Sequence, residues 1–490
     1  MIKNIKWLIL VSLTFIACND DEIVTTYDST DGLPLTAGTA DFSNYVALGD
    51  SFAAGFSDGA LFIEGQKGAY PNILAQQFAL VGGGEFTTPF MADNTGGFSL
   101  GGAQIPQFGP RLYFNGRAPL PVTGISGTSI SDKLTGSFNN MGIPGAKCIH
   151  LEFAGYGSSA GNPYFARFAS NPMTTVVADA LAQTPTFFSL WIGGNDVLGY
   201  ALSGGDGTNP ITPTATFNGA YNSIASQMAA GGRKGVVANI PYVNSLPHFT
   251  TVPYNPVPLD AATVTQLNSL AAYGAYNAGI IQAFNFLVST DRITRVAADA
   301  EIAKRTITFR AGAGNAVVIF DEYLTNLTGI NPALVSMRQA TAEDLLVLPA
   351  SAVIGTTVGG DPTKINGVSV PLADKWVLSK NEISELKTAT DAYNTTIEAA
   401  AVTNNLAIVD AKSLMGQLAT TGITANNFTL NTVFATGGAF SLDGFHPTPR
   451  GYALIANEFL KKINEKYGSN LNGVNLGNYR ILFPRDAANF

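Results

Sequence analysis

The residues that can do chemistry fall in four short stretches of the 490-residue chain, each with the composition of a turn. The first, ALGDSFAAGF at 47–56, sets Ser51 behind Gly49 and Asp50, where an apolar run stops. The second, NMGIPGA at 140–146, carries Gly145 behind a proline, with Gly142 as a rival position. The third, WIGGND at 191–196, ends in Asn195 and Asp196. The fourth, LDGFHPTPRGY at 442–452, places Asp443 three residues before His446. A hydroxyl, an imidazole and a carboxylate are the set that acyl transfer through a covalent intermediate needs: an oxygen nucleophile, a base for its proton, and an acid that orients the base. Ser51, His446 and Asp443 can fill those roles. Such a reaction also needs donors aimed at the developing oxyanion. The backbone N–H groups of Ser51 and Gly145 and the side-chain amide of Asn195 are candidates, and glycine at 145 lets a substrate approach the backbone closely.

Each stretch alone is ordinary. Asp and Ser after Gly form turns, and Asn195 or Asp196 could simply cap a helix. The pattern GxSxG, which marks a nucleophile elbow between a strand and a helix, occurs at Ser57, Ser99 and Ser159. None of the three has both the apolar strand before it and the helix after it. The chain has three histidines, no HExxH and no CxxC, so neither a metal site nor a cofactor is expected. His150 reads as a structural residue near the cleft, and His248, in SLPHFTTVPYNP, as a surface or cap residue of a Pro-rich loop. Asp50 and Asp196 read as loop-holding hydrogen-bond acceptors, and Cys148 as a small buried hydrophobe.

The elements that must position these residues follow a strand–helix rhythm. Apolar runs at 45–48, 138–143, 186–192, 234–240 and 406–411 are continuous and do not alternate with polar residues. That pattern fits parallel strands covered on both faces. Helical patterns lie at 71–80, 218–230, 381–405 and 449–467, the last opened by Pro449. The rhythm predicts an α/β fold with an open parallel sheet. In such sheets ligand sites form beyond the carboxyl ends of the strands, where all four stretches fall. Two regions break the rhythm, 82–135 and 244–375, and read as insertions or a cap over one core. The second contains a helix at about 260–289 and, in 305–324, two strands around a Gly-rich turn. Aromatic residues in 86–114 and 153–168 suit either an acyl-binding wall or ordinary core.

GDS after the first strand, a Gly after the second, GGND after the third and DxxHPT before the last helix resemble the SGNH/GDSL hydrolase family. The resemblance covers about 44–60, 138–150, 185–200 and 440–467. It implies a three-layer α/β/α fold of flavodoxin-like type with a central five-stranded parallel sheet, here in residues 42–467. It also implies a serine ester hydrolase (esterase, lipase or acylhydrolase) with Ser51, His446 and Asp443 as triad and Ser51, Gly145 and Asn195 around the oxyanion. A carbohydrate O-acetylesterase would use the same residues, and a non-catalytic surface binding protein on this fold is a further reading. GDSF stands where the family name has GDSL, and NMGIPGA lacks the Ser that relatives often carry before the Gly.

Charged residues are 13% of the chain, against roughly 25% in an average soluble domain, and the net charge is −8. Nothing in that balance suits nucleic acid. Residues 1–17 have two lysines, an apolar stretch too short to span a bilayer, and a small residue before Cys18: a signal peptide. FIAC followed by Asn19, Asp20, Asp21 and Glu22 resembles a lipobox and the surface-export signal of Bacteroidetes lipoproteins. That resemblance implies a lipid on Cys18, a tether over 18–41, and a location at the bacterial outer membrane or cell surface. Residues 468–490 form an unassigned tail.

Overall fold

A computed structural model describes residues 32–486. The signal peptide, Cys18 and most of the tether lie outside that range. Five strands form the central sheet: β1 (Tyr45–Gly49), β2 (Asn140–Gly142), β3 (Phe187–Trp191), β4 (Lys234–Ala238) and β5 (Ala407–Val409). They run in the order β2-β1-β3-β4-β5 and every pairing is parallel. All residues of β1 and β3 are buried, which is why their sequences show no alternation.

The helices that frame the sheet include α1 (Ser51–Ala54), α2 (Tyr70–Ala79), α3 (Asn195–Leu202), α4 (Thr214–Ala229), α5 (Lys380–Thr403) and α6 (Pro449–Tyr467). α2 packs with α6 on one face, and α4 with α5 on the other, giving three layers. Phe187 of β3 meets Phe78 of α2 and Tyr467 of α6, with ring centroids 5.6 and 5.9 Å away. On the opposite face Phe217 of α4 stacks on Tyr393 of α5 at 4.0 Å. The fold is therefore the three-layer α/β/α arrangement with a five-stranded parallel sheet. Its strand order reverses between β1 and β3, so the crevice for a ligand opens beyond their carboxyl ends.

The region 82–135 is mostly irregular, with two short antiparallel pairs, Ser99–Leu100 with Ala103–Gln104 and Leu112–Phe114 with Pro119–Pro121. In 244–375 the expected single helix is two, Ala261–Asn268 and Tyr273–Ser289, and a third follows at Arg295–Arg305. The two strands expected in 305–324 exist, at Gly312–Asn315 and Val318–Phe320, but they do not pair with each other. The first pairs with Val257–Leu259 and the second with Met337–Gln339. Only two residues separate them, so local spacing suggests a hairpin where long-range pairing prevails. Residues 36–39 are pinned to the end of α6: Thr39 N–H donates to the Tyr467 carbonyl at 2.8 Å, and Thr36 N–H to Asn470 Oδ1 at 2.7 Å. Among the described residues no helix is long and apolar enough to cross a membrane.

Candidate active site

The sheet register sets the ends of three strands side by side. Gly49 of β1 lies opposite Gly142 of β2 and Trp191 of β3. Ser51 is two residues past that line, Gly145 three and Asn195 four, so all three emerge at one edge. Ser51 opens α1, whose N-cap is Asp50: its Oδ1 accepts from the Phe52 N–H at 3.0 Å. Ser51 and Asn195 line one pocket, together with Phe52, Trp191, Leu198, Leu246 and Phe445.

Asp443 and His446 sit in the turn before α6. His446 Nδ1 and Asp443 Oδ2 are 2.8 Å apart, and both side chains are buried. The same Asp443 oxygen accepts from the Gly59 N–H at 2.9 Å. Its other oxygen accepts from Ser441 Oγ at 3.1 Å and from the N–H groups of Phe445 and His446 at 3.0 and 2.9 Å. Burial alone would raise the Asp443 carboxyl. The charge of His446, the hydrogen bond from its ring and the backbone donors outweigh burial and hold it down at about 2. Because that value lies below the unfolded one, the stabilisation is complete above about pH 4 and is lost only as pH falls through about 2.

The His446 ring is enclosed by Phe445, Phe56 and Phe52, at centroid distances of 4.4, 4.5 and 5.7 Å. It thus packs against α1 and the residues after it, the segment that carries Ser51. Among the described residues Ser51 Oγ has no hydrogen-bond partner. Catalytic hydrogen bonds are often long before substrate binds.

The two glycines after β2 differ in their donors. Gly142 N–H is committed to Asn140 Oδ1 at 3.0 Å, and a Cβ there would come within 2.2 Å of the Ala54 nitrogen. Gly142 is therefore a packing residue that lets α1 approach the sheet. Gly145 is exposed, its N–H has no partner among the described residues, and the space beside it is open. Asn195 Nδ2 donates one hydrogen to the Ala146 carbonyl at 3.0 Å, which holds the amide next to Gly145. Its second amide hydrogen is uncommitted.

Three neighbours of the Asp443–His446 turn carry no functional signal in the sequence. His248 lies in the insertion, as one of its two expected positions had it, but it is buried and not at a surface. Its Nδ1 lies 3.2 Å from the Asp443 carbonyl, and its N–H donates to the Gly444 carbonyl at 2.9 Å. The insertion therefore begins by bracing the turn, a contact across almost two hundred residues that no local pattern announces. Ser441 bridges Asp443 and the Asp58 N–H. Asp58 adopts a left-handed φ of 50° and accepts from the Leu442 N–H at 2.9 Å. The one local hint is an Asp before Gly, a pair that favours such a φ.

Burial raises Asp58 to about 7, with the Asp443 charge adding to it, and raises Asp50 to about 6. Both exceed the unfolded value, so the folded chain holds protons the unfolded chain has released. Stability then falls as pH rises from about 4 through 7. Asp58→Asn, which keeps the acceptor and tolerates the left-handed φ, is expected to remove part of that slope. Calorimetry at pH 5 and pH 8 should show the variant gaining on the parent at pH 8 by on the order of 3 kcal/mol. Parallel pH curves for the two proteins would refute the assignment.

Asp196 Oδ2 accepts from the Cys148 N–H at 2.8 Å, tying β2's exit loop to α3. The Cys148 thiol is buried and pushed well above its ordinary range by burial. His150 is half-buried and accepts from the Lys147 N–H at 3.1 Å. Ser57 donates to the Pro447 carbonyl, Ser99 to the Thr128 carbonyl, and Ser159 is exposed in a turn, so none forms an elbow. Cys18 lies outside the described residues.

No protein-family model matches the sequence, and no curated protein matches it either. Among solved structures the chain is similar to a lipase/acylhydrolase from Enterococcus faecalis. The identity is 10%, the match covers 90% of this chain and 98% of that one, and the TM-score is 0.30.

Proposed function

We propose that the protein is a serine ester hydrolase of SGNH type. The observation that carries this reading is the buried Asp443–His446 pair, with every carboxylate oxygen hydrogen-bonded, against the segment that bears Ser51. Ser51 Oγ attacks the ester carbonyl while His446 Nε2 takes its proton. Asp443 holds the Nδ1–H tautomer and stabilises the imidazolium. The N–H groups of Ser51 and Gly145 and the free amide hydrogen of Asn195 receive the oxyanion. His446 then protonates the leaving alcohol, and a water deprotonated by His446 hydrolyses the acyl-enzyme. No metal or organic cofactor enters this scheme. The sequence features of residues 1–22 support a chain anchored through lipid on Cys18 at the outer membrane or cell surface.

An apolar acyl group is the substrate part that the site favours. A second apolar pocket shares Phe52, Trp191, Pro241 and Leu246 with the Ser51 pocket and continues past Leu414, Met415 and Leu454. Apolar chains gain about 0.8 kcal/mol per buried methylene. The purified protein should therefore label with a fluorophosphonate and hydrolyse p-nitrophenyl esters from acetyl to long-chain. Leu414→Trp, at a half-buried position of the second pocket, should lower kcat/KM for octanoyl and longer esters at least tenfold and spare the acetyl ester. Turnover confined to acetyl esters in the parent would point to a deacetylase of sugars or small esters. Absence of both labelling and turnover would sink the triad and favour a binding protein.

A further inference from the structure

Where the large insertion meets the start of α5, the carboxylates of Glu322, Asp374 and Glu382 each place an oxygen within 4.8 Å of the others. They come from three elements: the turn after Val318–Phe320, the short 3-10 turn Asp374–Trp376, and the first turn of α5. None of the three forms an ion pair among the described residues. Glu382 is 1% exposed. Its Oε2 accepts from the Ser379 N–H at 2.6 Å in the capping box of α5, but its Oε1 is buried with no partner. The loop after α3 makes room for that oxygen: a Cβ on Gly205 would lie 2.1 Å from Glu382 Oε1. Asp206 and Asp321 add negative charge around Asp374.

We propose that this cluster is a binding site for a divalent cation of the calcium class. Three like charges this close are unfavourable unless a cation joins them or protons neutralise them. All donors are hard oxygens, which suit calcium or magnesium and not zinc or copper. Two oxygens on opposite sides of a calcium ion, at about 2.4 Å each, span about 4.8 Å, and calcium accepts irregular, partly solvated shells of 6–8 oxygens. Magnesium demands a tighter octahedron and keeps its waters. The bound ion would tie the insertion to α5, beside the loop that ends α3, the helix that begins with Asn195. It would thus be a structural clamp, outside the ester-hydrolysing residues proposed above and independent of that proposal.

The test uses the full chain, stripped with EGTA and then titrated with calcium chloride by calorimetry and thermal unfolding. Calcium is expected to bind with one site and to raise Tm by about 3 °C at saturation, with a smaller rise from magnesium. Glu322→Gln and Asp374→Asn lie at exposed and half-buried positions and should fold. Each should lose the calcium-dependent rise and weaken binding at least tenfold, with circular dichroism unchanged. No binding up to 10 mM calcium would overturn the proposal and assign the cluster to shared protons. A calcium response that survives in both variants would overturn it too.

Discussion

Ser51→Ala is expected to lower kcat for p-nitrophenyl esters by on the order of 10⁶-fold, to the level left by binding and oxyanion donors alone. The same substitution should abolish fluorophosphonate labelling. The fold should not respond. Ser51 Oγ has no hydrogen-bond partner among the described residues, and the cap of α1 is supplied by Asp50, so alanine removes nothing the helix uses. Unfolding midpoints of parent and variant should agree within about 2 °C, since Ser51 is buried but its hydroxyl gives up no hydrogen bond on going to alanine. Retained turnover in the variant would mean that another nucleophile does the work and would remove Ser51 from the scheme.

Asp443→Asn should be nearly as damaging, lowering kcat by on the order of 10⁴-fold. The reason is a mismatch of donors. Asp443 Oδ2 accepts from His446 Nδ1 and from the Gly59 N–H, and Oδ1 accepts from two backbone N–H groups and Ser441 Oγ. An asparagine must set its NH₂ against one of these groups. Placed at Oδ1 it faces two backbone donors; placed at Oδ2 it faces Gly59 N–H and donates to His446 Nδ1. That second choice moves the imidazole proton to Nε2, where it cannot accept the serine proton. The buried mismatch should also cost about 2 kcal/mol in denaturant unfolding. The two effects separate, because activity is measured on folded protein. A variant that keeps kcat within tenfold would show that Asp443 serves the turn and not the histidine.

Much of this architecture is legible in the sequence because local chemistry signals it. Continuous apolar runs mark strands covered on both faces, and all five strands of the sheet match such runs, β1 reaching one residue further to Gly49. Pro449 opens α6, and the helical periodicities locate α2, α4 and α5 to within a few residues. Gly49, Gly145 and Gly194 mark the points where the chain leaves the sheet, so the residues around them can be assigned to one crevice from the order of residues alone. The insertions are not legible in this way. Their strands are two to five residues long, and those at 312–315 and 318–320 pair with segments well away in the chain, so they look like a hairpin and are not one.

The core fold class follows from composition and period, and residue type at the ends of the predicted strands and before the last helix marks Ser51, Gly145, Asn195, Asp443 and His446. That Gly142 N–H is already bonded to Asn140 Oδ1 is a matter of contacts in space, which the sequence pattern around Gly142 and Gly145 does not carry. Only the tertiary structure brought Asp58 and His248 against the Asp443–His446 turn, and Glu322 and Asp374 against Glu382. These are contacts of packing between distant segments. Burial and charge proximity are properties of space, and no local pattern of residue types encodes them.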